Sequence, residues 1–378
     1  RRESLIKRLL TNWREIPVFP ASIGLIATGA IIAVVAVYFI GDSTVPSFHA
    51  ARGLPFFQGV NYFNDAKYEQ AISRLNDSIH LDSDDAEAYS YRSRAYLSLG
   101  QLQRGIEDAD RALELDSSLT WSYYSRGSAY QILERYHQAI QDFDRVLELD
   151  PALAAAYHDR GAAYESLGQT LRAAGDYEKS GAAYIRLDQP RQAIQEFDRV
   201  ILLEPDSALA YDGRGGAYHN LGQYEQAISD YGKAIVLDPT LAPTYGNRGA
   251  AHQSLGDYVL AINDFDKAVQ LDPEQRTAYS NRGAAYSSLG QHQQAIKDYD
   301  QAIALNAGVA RTYNNRGGSY FNLGEFQRAV DDFGKAIQLE PKYAGAYQNR
   351  GLAYSELGQA SKAEADQTKA CSLDTQRC

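Results

Sequence analysis

A fixed internal period, thirty-four residues long, constrains this chain more than any other feature. Between Ala278 and Pro341 the sequence nearly repeats when shifted by one period: Tyr279, Arg282, Gly283, Leu289, Gly290, Ala295 and Tyr299 return as Tyr313, Arg316, Gly317, Leu323, Gly324, Ala329 and Phe333. Within each unit, apolar residues recur at helical spacing in two stripes. A Leu-Gly step divides the stripes, and an acidic residue, often with Pro, ends the second. Each unit therefore reads as helix-turn-helix, too small to bury its own apolar faces, and the chain as a stack of such units. The 44% apolar content and 28 Tyr suffice for a core spread along a stack.

The order aromatic, Gly, Tyr, Ala, Phe and Pro within one period resembles the tetratricopeptide repeat (TPR) family. The resemblance covers about residues 52–378. It implies an all-α solenoid of about nine complete units plus one truncated unit, each made of a helix A and a helix B.

Gly59, Ser93, Gly127, Gly161, Gly181, Gly215, Gly249, Gly283, Gly317 and Gly351 mark the same register in successive units. Every step is one full period except Gly161 to Gly181, which is only twenty residues. Aligning Leu167-Gly168-Gln169 with Leu221-Gly222-Gln223 shows that the missing fourteen residues are the end of one helix B, a turn, and the start of the next helix A. Fourteen residues is nearly four helical turns, so the two half-helices can fuse with their apolar faces roughly aligned. The expectation is one helix, Thr170 to Leu187, serving two units. It would leave a first sub-array at 52–167, a junction at 168–189 and a second sub-array at 190–378. Gly175 and Ser180-Gly181 are candidate kink points; the alternative is a regular array whose record lacks fourteen residues. In the last unit Ala360 and Gln367 replace the aromatics found at Phe326 and Phe333, and the second helix has a polar outer side, as an end cap requires.

Residues 1–15 carry Arg1, Arg2, Lys7, Arg8 and Arg14. A charge-free run follows, and the twenty residues Ala21 to Ile40 would span about 30 Å as a helix, the thickness of a bilayer core. Trp13 and Tyr38 flank it at interfacial depth. We expect a transmembrane helix at 16–41, uncleaved, since no A-x-A site follows Ile40. A linker at 42–51 joins it to the array. The excess of basic residues before the span orients residues 1–15 to the cytoplasm and the array across the membrane, in a periplasm or thylakoid lumen; the alternative is a cytoplasmic array. Gly29 and Ala33 form a small-xxx-small pair of the kind that lets another helix approach. The absence of Met and the opening Arg suggest a lost or processed initiator end.

The formal charge of −11, about −14 without the first fifteen residues, disfavours nucleic acid as a partner. The seven His are scattered, and neither HExxH, a Gly-rich phosphate loop nor GxSxG occurs. Asp264/Asp266 and Asp298/Asp300 stand two apart on a helix and face away from each other, so they do not form a metal site. We therefore expect no enzyme, no cofactor and no metal. Two cysteines exclude a disulfide framework; Cys371 and Cys378 could pair or remain thiols.

Two ladders recur with the period. Arg92, Arg126, Arg160, Arg214, Arg248, Arg282, Arg316 and Arg350 precede the Gly or Ser marker, where the family prefers Leu. They could form a basic stripe for acidic ligands, or pack their stems between helices and meet acids of helix B such as Asp230, Asp264, Asp298 or Asp332. The shared period favours the second reading.

The other ladder is Asn247, Asn281, Asn315 and Asn349. In TPR proteins resembling this one the matching position lines a concave groove, where amides clasp the backbone of an extended peptide, as in the O-linked N-acetylglucosamine transferase array. An amide offers a donor and an acceptor together. The alternative is that Asn merely tolerates a solvated helix site. Ser280, Asn314 and Gln348, one residue earlier, and Phe321, on the next turn, would be neighbours in the groove. No basic residues of the kind that grip a terminal carboxylate are evident at these positions.

The expected function is a membrane-tethered scaffold or adaptor binding other proteins or extended peptides, such as an assembly factor for a membrane complex. The Tyr-Asn-Asn-Arg-Gly wording resembles repeat proteins common in cyanobacteria and related bacteria, which implies roles such as photosynthetic-complex assembly. The alternative is a regulatory or docking subunit of a membrane or envelope enzyme.

Overall fold

The computed structural model describes residues 53–374, and among them every regular element is an α-helix. The span expected at 16–41, its flanks 1–15 and 42–51, and Cys378 lie outside the described residues. No helix among the described residues is long and apolar enough to cross a membrane.

The chain divides into two compact units, the first ending at Ala129 and the second beginning at Tyr130. The first holds α1 (Gly53–Asn64), α2 (Tyr68–Leu81), α3 (Ala86–Ser98) and α4 (Leu102–Leu115), and the boundary falls inside α5 (Thr120–Ile132). The second continues with α6 (Tyr136–Leu149), α7 (Ala154–Ser166), α8 (Thr170–Arg186), α9 (Pro190–Leu203), α10 (Ala208–Asn220) and α11 (Tyr224–Leu237). It ends with α12 (Ala242–Ser254), α13 (Tyr258–Leu271), α14 (Arg276–Ser288), α15 (His292–Leu305), α16 (Ala310–Asn322), α17 (Phe326–Leu339), α18 (Ala344–Glu356) and α19 (Ala360–Leu373).

A Leu-Gly step stops most first helices, whereas Ala66, Glu134 and Asp188 take the left-handed position after α1, α5 and α8. Gly290 takes φ +75°, and Gln291 N–H returns to Tyr286 O at 2.9 Å, closing the last turn. Within a pair, small residues let the helices meet over one ring: a Cβ on Gly249 would lie 2.8 Å from Phe265. Ala261, Phe265 and Ala268 are fully buried at that crossing. In the first unit the second pair has Ala109 at the ring position. There Leu97 fills the space, and a Cβ on Gly105 would lie 2.4 Å from it. The last helix, α19, buries only Asp366 and Ala370.

Residues Thr170–Leu187 form α8 and its C-cap, a helix of 17 residues where its successor α9 has 14. It packs along both α7 and α9. Toward α7 it acts as a second helix: Arg160 donates twice to Asp176, each at 2.7 Å, and Gly161 lies over the Tyr177 ring. Toward α9 it acts as a first helix, because a Cβ on Gly181 would lie 2.9 Å from Phe197. One helix thus carries both registers. The layer of first helices that includes α7 gives way to one running through α8, α10 and α12. The junction at 168–189 lies inside the second compact unit.

The fusion leaves one rung without its arginine. Ser180 stands in the arginine register, and its hydroxyl donates to Ala154 O at 3.1 Å. Glu196, in the acid register of α9, instead faces His158 Nδ1 at 2.9 and 3.1 Å, a direct link from α7 to α9. The bond to Glu196 raises the His158 pKa above its ordinary 6.5, against the opposing effect of burial; Asp159 adds to the shift and Arg199 subtracts from it. The stabilisation is therefore complete below about pH 6.5 and is lost as pH rises through the raised value. The gap in urea midpoint between the native chain and His158→Gln should be larger at about pH 5.5 than at about 8.5. A gap that does not change with pH would refute the charged pair.

Candidate functional site

The arginine ladder is structural. Arg282 Nε and Nη2 donate to Asp298 at 2.8 and 2.6 Å, and Nη1 reaches back to Asp266 of the preceding pair at 2.7 Å. Arg214 and Arg316 repeat this geometry with Asp230 and Asp198, and with Asp332 and Asp300. Arg248 and Arg350 grip Asp264 and Asp366, but the rearward register holds Gly232 and Gly334. Each guanidinium is a mostly buried cross-link, so the alternative of a basic stripe for acidic ligands is set aside. Asp298 and Asp300 serve different arginines, and no group of three or more potential metal ligands occurs among the described residues.

The first helices of the second unit line a chain of cavities. One, of about 250 Å³, lies among α12, α14 and α16 and brings together Ser280, Asn281 and Asn315 with Gln253, Arg276 and Arg311. The next, of about 300 Å³ among α14, α16 and α18, holds Asn314, Asn315 and Asn349. Asn247 opens onto a third, of about 370 Å³ among α8, α10 and α12. Gln348 is half-buried on α18 and lines none of these three.

The four ladder amides differ in engagement. Asn349 Nδ2 donates to Asn314 Oδ1 at 3.0 Å, and Asn247 Nδ2 to Asp212 Oδ1 at 3.5 Å, each tying neighbouring first helices together. The side chains of Asn281 and Asn315 make no hydrogen bond among the described residues, leaving both amide functions available. Phe321 was expected in the groove. Its ring is partly buried, edge-on to Phe326 at 5.3 Å and packed against the cluster of Tyr320 and Phe333.

Reasoning from the repeat register missed Arg276 and Arg311. They lie outside the groove positions surveyed, yet the packing of three successive first helices brings them into the cavity of Asn281 and Asn315. Neither forms an ion pair among the described residues. A signal was present in the sequence: both occupy the first turn of a helix, Arg276 at the first residue of α14 and Arg311 at the second of α16. That is the end where the helix dipole disfavours cations. Two arginines placed against the dipole, without acids of their own, make an anion-receptive wall.

Paired helices stacked in this way define a solenoid of helix-turn-helix repeats. Family descriptions of the tetratricopeptide repeat match residues 58–119, 120–153, 242–275, 277–308, 310–343 and 333–365, and one described as TPR repeat matches 215–256. The chain belongs to the tetratricopeptide repeat family. Hsp70-Hsp90 organizing protein 3 of Arabidopsis thaliana is 33% identical over 54 residues, 14% of this chain and 10% of that protein. The chain thus spans about a tenth of the length of that curated relative. The solved PilF of Pseudomonas aeruginosa, 18% identical, covers 55% of this chain and 94% of its own with a TM-score of 0.50, a likeness of fold alone. MamA is 31% identical over 43% of this chain and 95% of its own, with a TM-score of 0.41.

Proposed function

We propose that this chain is a membrane-tethered adaptor that binds an extended segment of a partner protein along the first helices of its second unit. The observation that carries the reading is the cavity where the unengaged amides of Asn281 and Asn315 stand with Arg276 and Arg311. The amides suit a peptide backbone, which presents one donor and one acceptor per residue. The arginines suit a carboxylate, which a guanidinium fork grips with two bonds. The preferred segment is therefore extended and carries an acidic group opposite α14 and α16. Tethering through 16–41, with the array on the far side of the membrane and a role in assembling a membrane complex, completes the proposal. Its support is the apolar run and the excess of basic residues before it.

The test uses the full chain in lipid nanodiscs and a phage-displayed library of random dodecapeptides. Selected peptides should lose at least about tenfold in affinity against the Asn281→Ala/Asn315→Ala variant, since two backbone-directed amides are removed. Undiminished binding by that variant would refute the groove.

A further inference from the structure

The compartment among α8, α10 and α12 differs in chemistry from the rest of the groove, and it exists because α8 has become a first helix. At the register of the ladder asparagines it carries Gly213, where a Cβ would lie 2.4 Å from Phe197. The ring occupies the room an amide would need, so this compartment cannot read backbone from that position. Phe197 and Tyr231 close its bottom, and Ile185 of α8 forms one wall.

Its polar equipment is acceptor-rich. Asp212 occupies the register that holds Gly246, Ser280, Asn314 and Gln348 in later pairs, all neutral. Its carboxylate accepts from Asn247 at 3.5 Å and from the Thr244 side chain, and a carboxylate has about four acceptor sites. No Lys or Arg lines the compartment. Burial raises the Asp212 pKa, the mark of a desolvated negative charge that lacks a cation. His219 Nε2 is buried against the same compartment without a hydrogen-bond partner, and burial lowers the pKa of that imidazole.

We propose that this compartment takes a lysine or arginine side chain of the bound peptide, its charged head on Asp212 and its stem on the aromatic floor. The inference rests on the groove reading given above. A cation here neutralises the one unbalanced acid of the compartment, whose lining also holds the Phe197 and Tyr231 rings. Together with Arg276 and Arg311 it makes the groove charge-polar. A basic residue of the ligand lies toward α8 and an acidic one toward α16.

The same library is selected on the full chain in nanodiscs and on Asp212→Asn, which keeps the shape and both internal hydrogen bonds within reach. The native chain should enrich peptides with Lys or Arg at one fixed position. Their affinity should fall at least about tenfold on Asp212→Asn, and again when that basic residue is changed to Gln in the native pairing. The two changes together should cost little more than either alone. Asp212→Ser, which restores the residue type of Ser280, serves as a second variant if Asp212→Asn is poorly folded. Peptides that depend on Asn281 and Asn315 but show no basic preference, or bind Asp212→Asn equally, overturn this inference and leave the groove standing. If no selected peptide depends on Asn281 and Asn315, the groove fails and this inference fails with it.

Discussion

Tyr177→Ala should destabilise the second compact unit by about 3–5 kcal/mol, near the upper end for a buried aromatic. The ring is fully buried, and its hydroxyl donates to Glu165 at 2.7 Å. Most core rings here serve one helix crossing. Tyr177 sits on α8, where the register of one pair runs into that of the next, so its loss opens the seam between α7 and α9. Stability in a solenoid is close to a sum of units and nearest-neighbour interfaces. Weakening the interface on both sides of one helix should therefore split urea unfolding of this unit into two transitions. Tyr299, equally buried but with a single crossing, is the control. If Tyr299→Ala and Tyr177→Ala lose the same stability and both unfold in one step, α8 is not a shared helix in any energetic sense.

Arg282→Leu should cost about 3–5 kcal/mol, although Leu is the residue the family prefers at that register. The loss comes less from the bonds removed than from the acid left behind: Asp298 is only 5% exposed and would face the core without a cation. Replacing both members, Arg282→Leu with Asp298→Leu, should recover most of the loss, because two packed aliphatic residues need no charge compensation. Salt should have little effect on the single variant, since the pair is shielded from solvent. Urea midpoints for the single and double variants decide the matter. A harmless Arg282→Leu would mean that the ladder contributes geometry without stability.

Both expectations begin from features that were legible in the chain. The Gly-over-ring crossings, the Leu-Gly stops and the Arg–Asp rungs lie within one unit or between adjacent units, so a fixed spacing specifies each of them. Arg282 and Asp298 are sixteen residues apart in sequence and recur as a pair. The fusion at α8 was legible as a count, because Gly161 to Gly181 falls short of the full period that separates every other pair of markers. The compensation at that junction was not. Nothing in the spacing of His158 and Glu196 announces a bond, because their meeting requires α7 and α9 to flank the same helix.

The groove divides along the same line. Asn281 and Asn315 could be picked out because they recur with the period. Arg276 and Arg311 recur with nothing, and Asp212 only with Glu178 one period before it; each becomes part of a site only when three successive first helices are laid side by side. Phe321 stands at a groove register too, and only the packing shows that its ring lies edge-on to Phe326. The sequence alone determined the repeat, its pairing rules and the place where one helix serves two pairs, since all of these are short-range and repeated. Only the tertiary structure decided which side chains share a cavity and which amides stay unengaged. Those outcomes depend on how far each helix is rotated and offset against the next but one, a quantity that no residue spacing encodes.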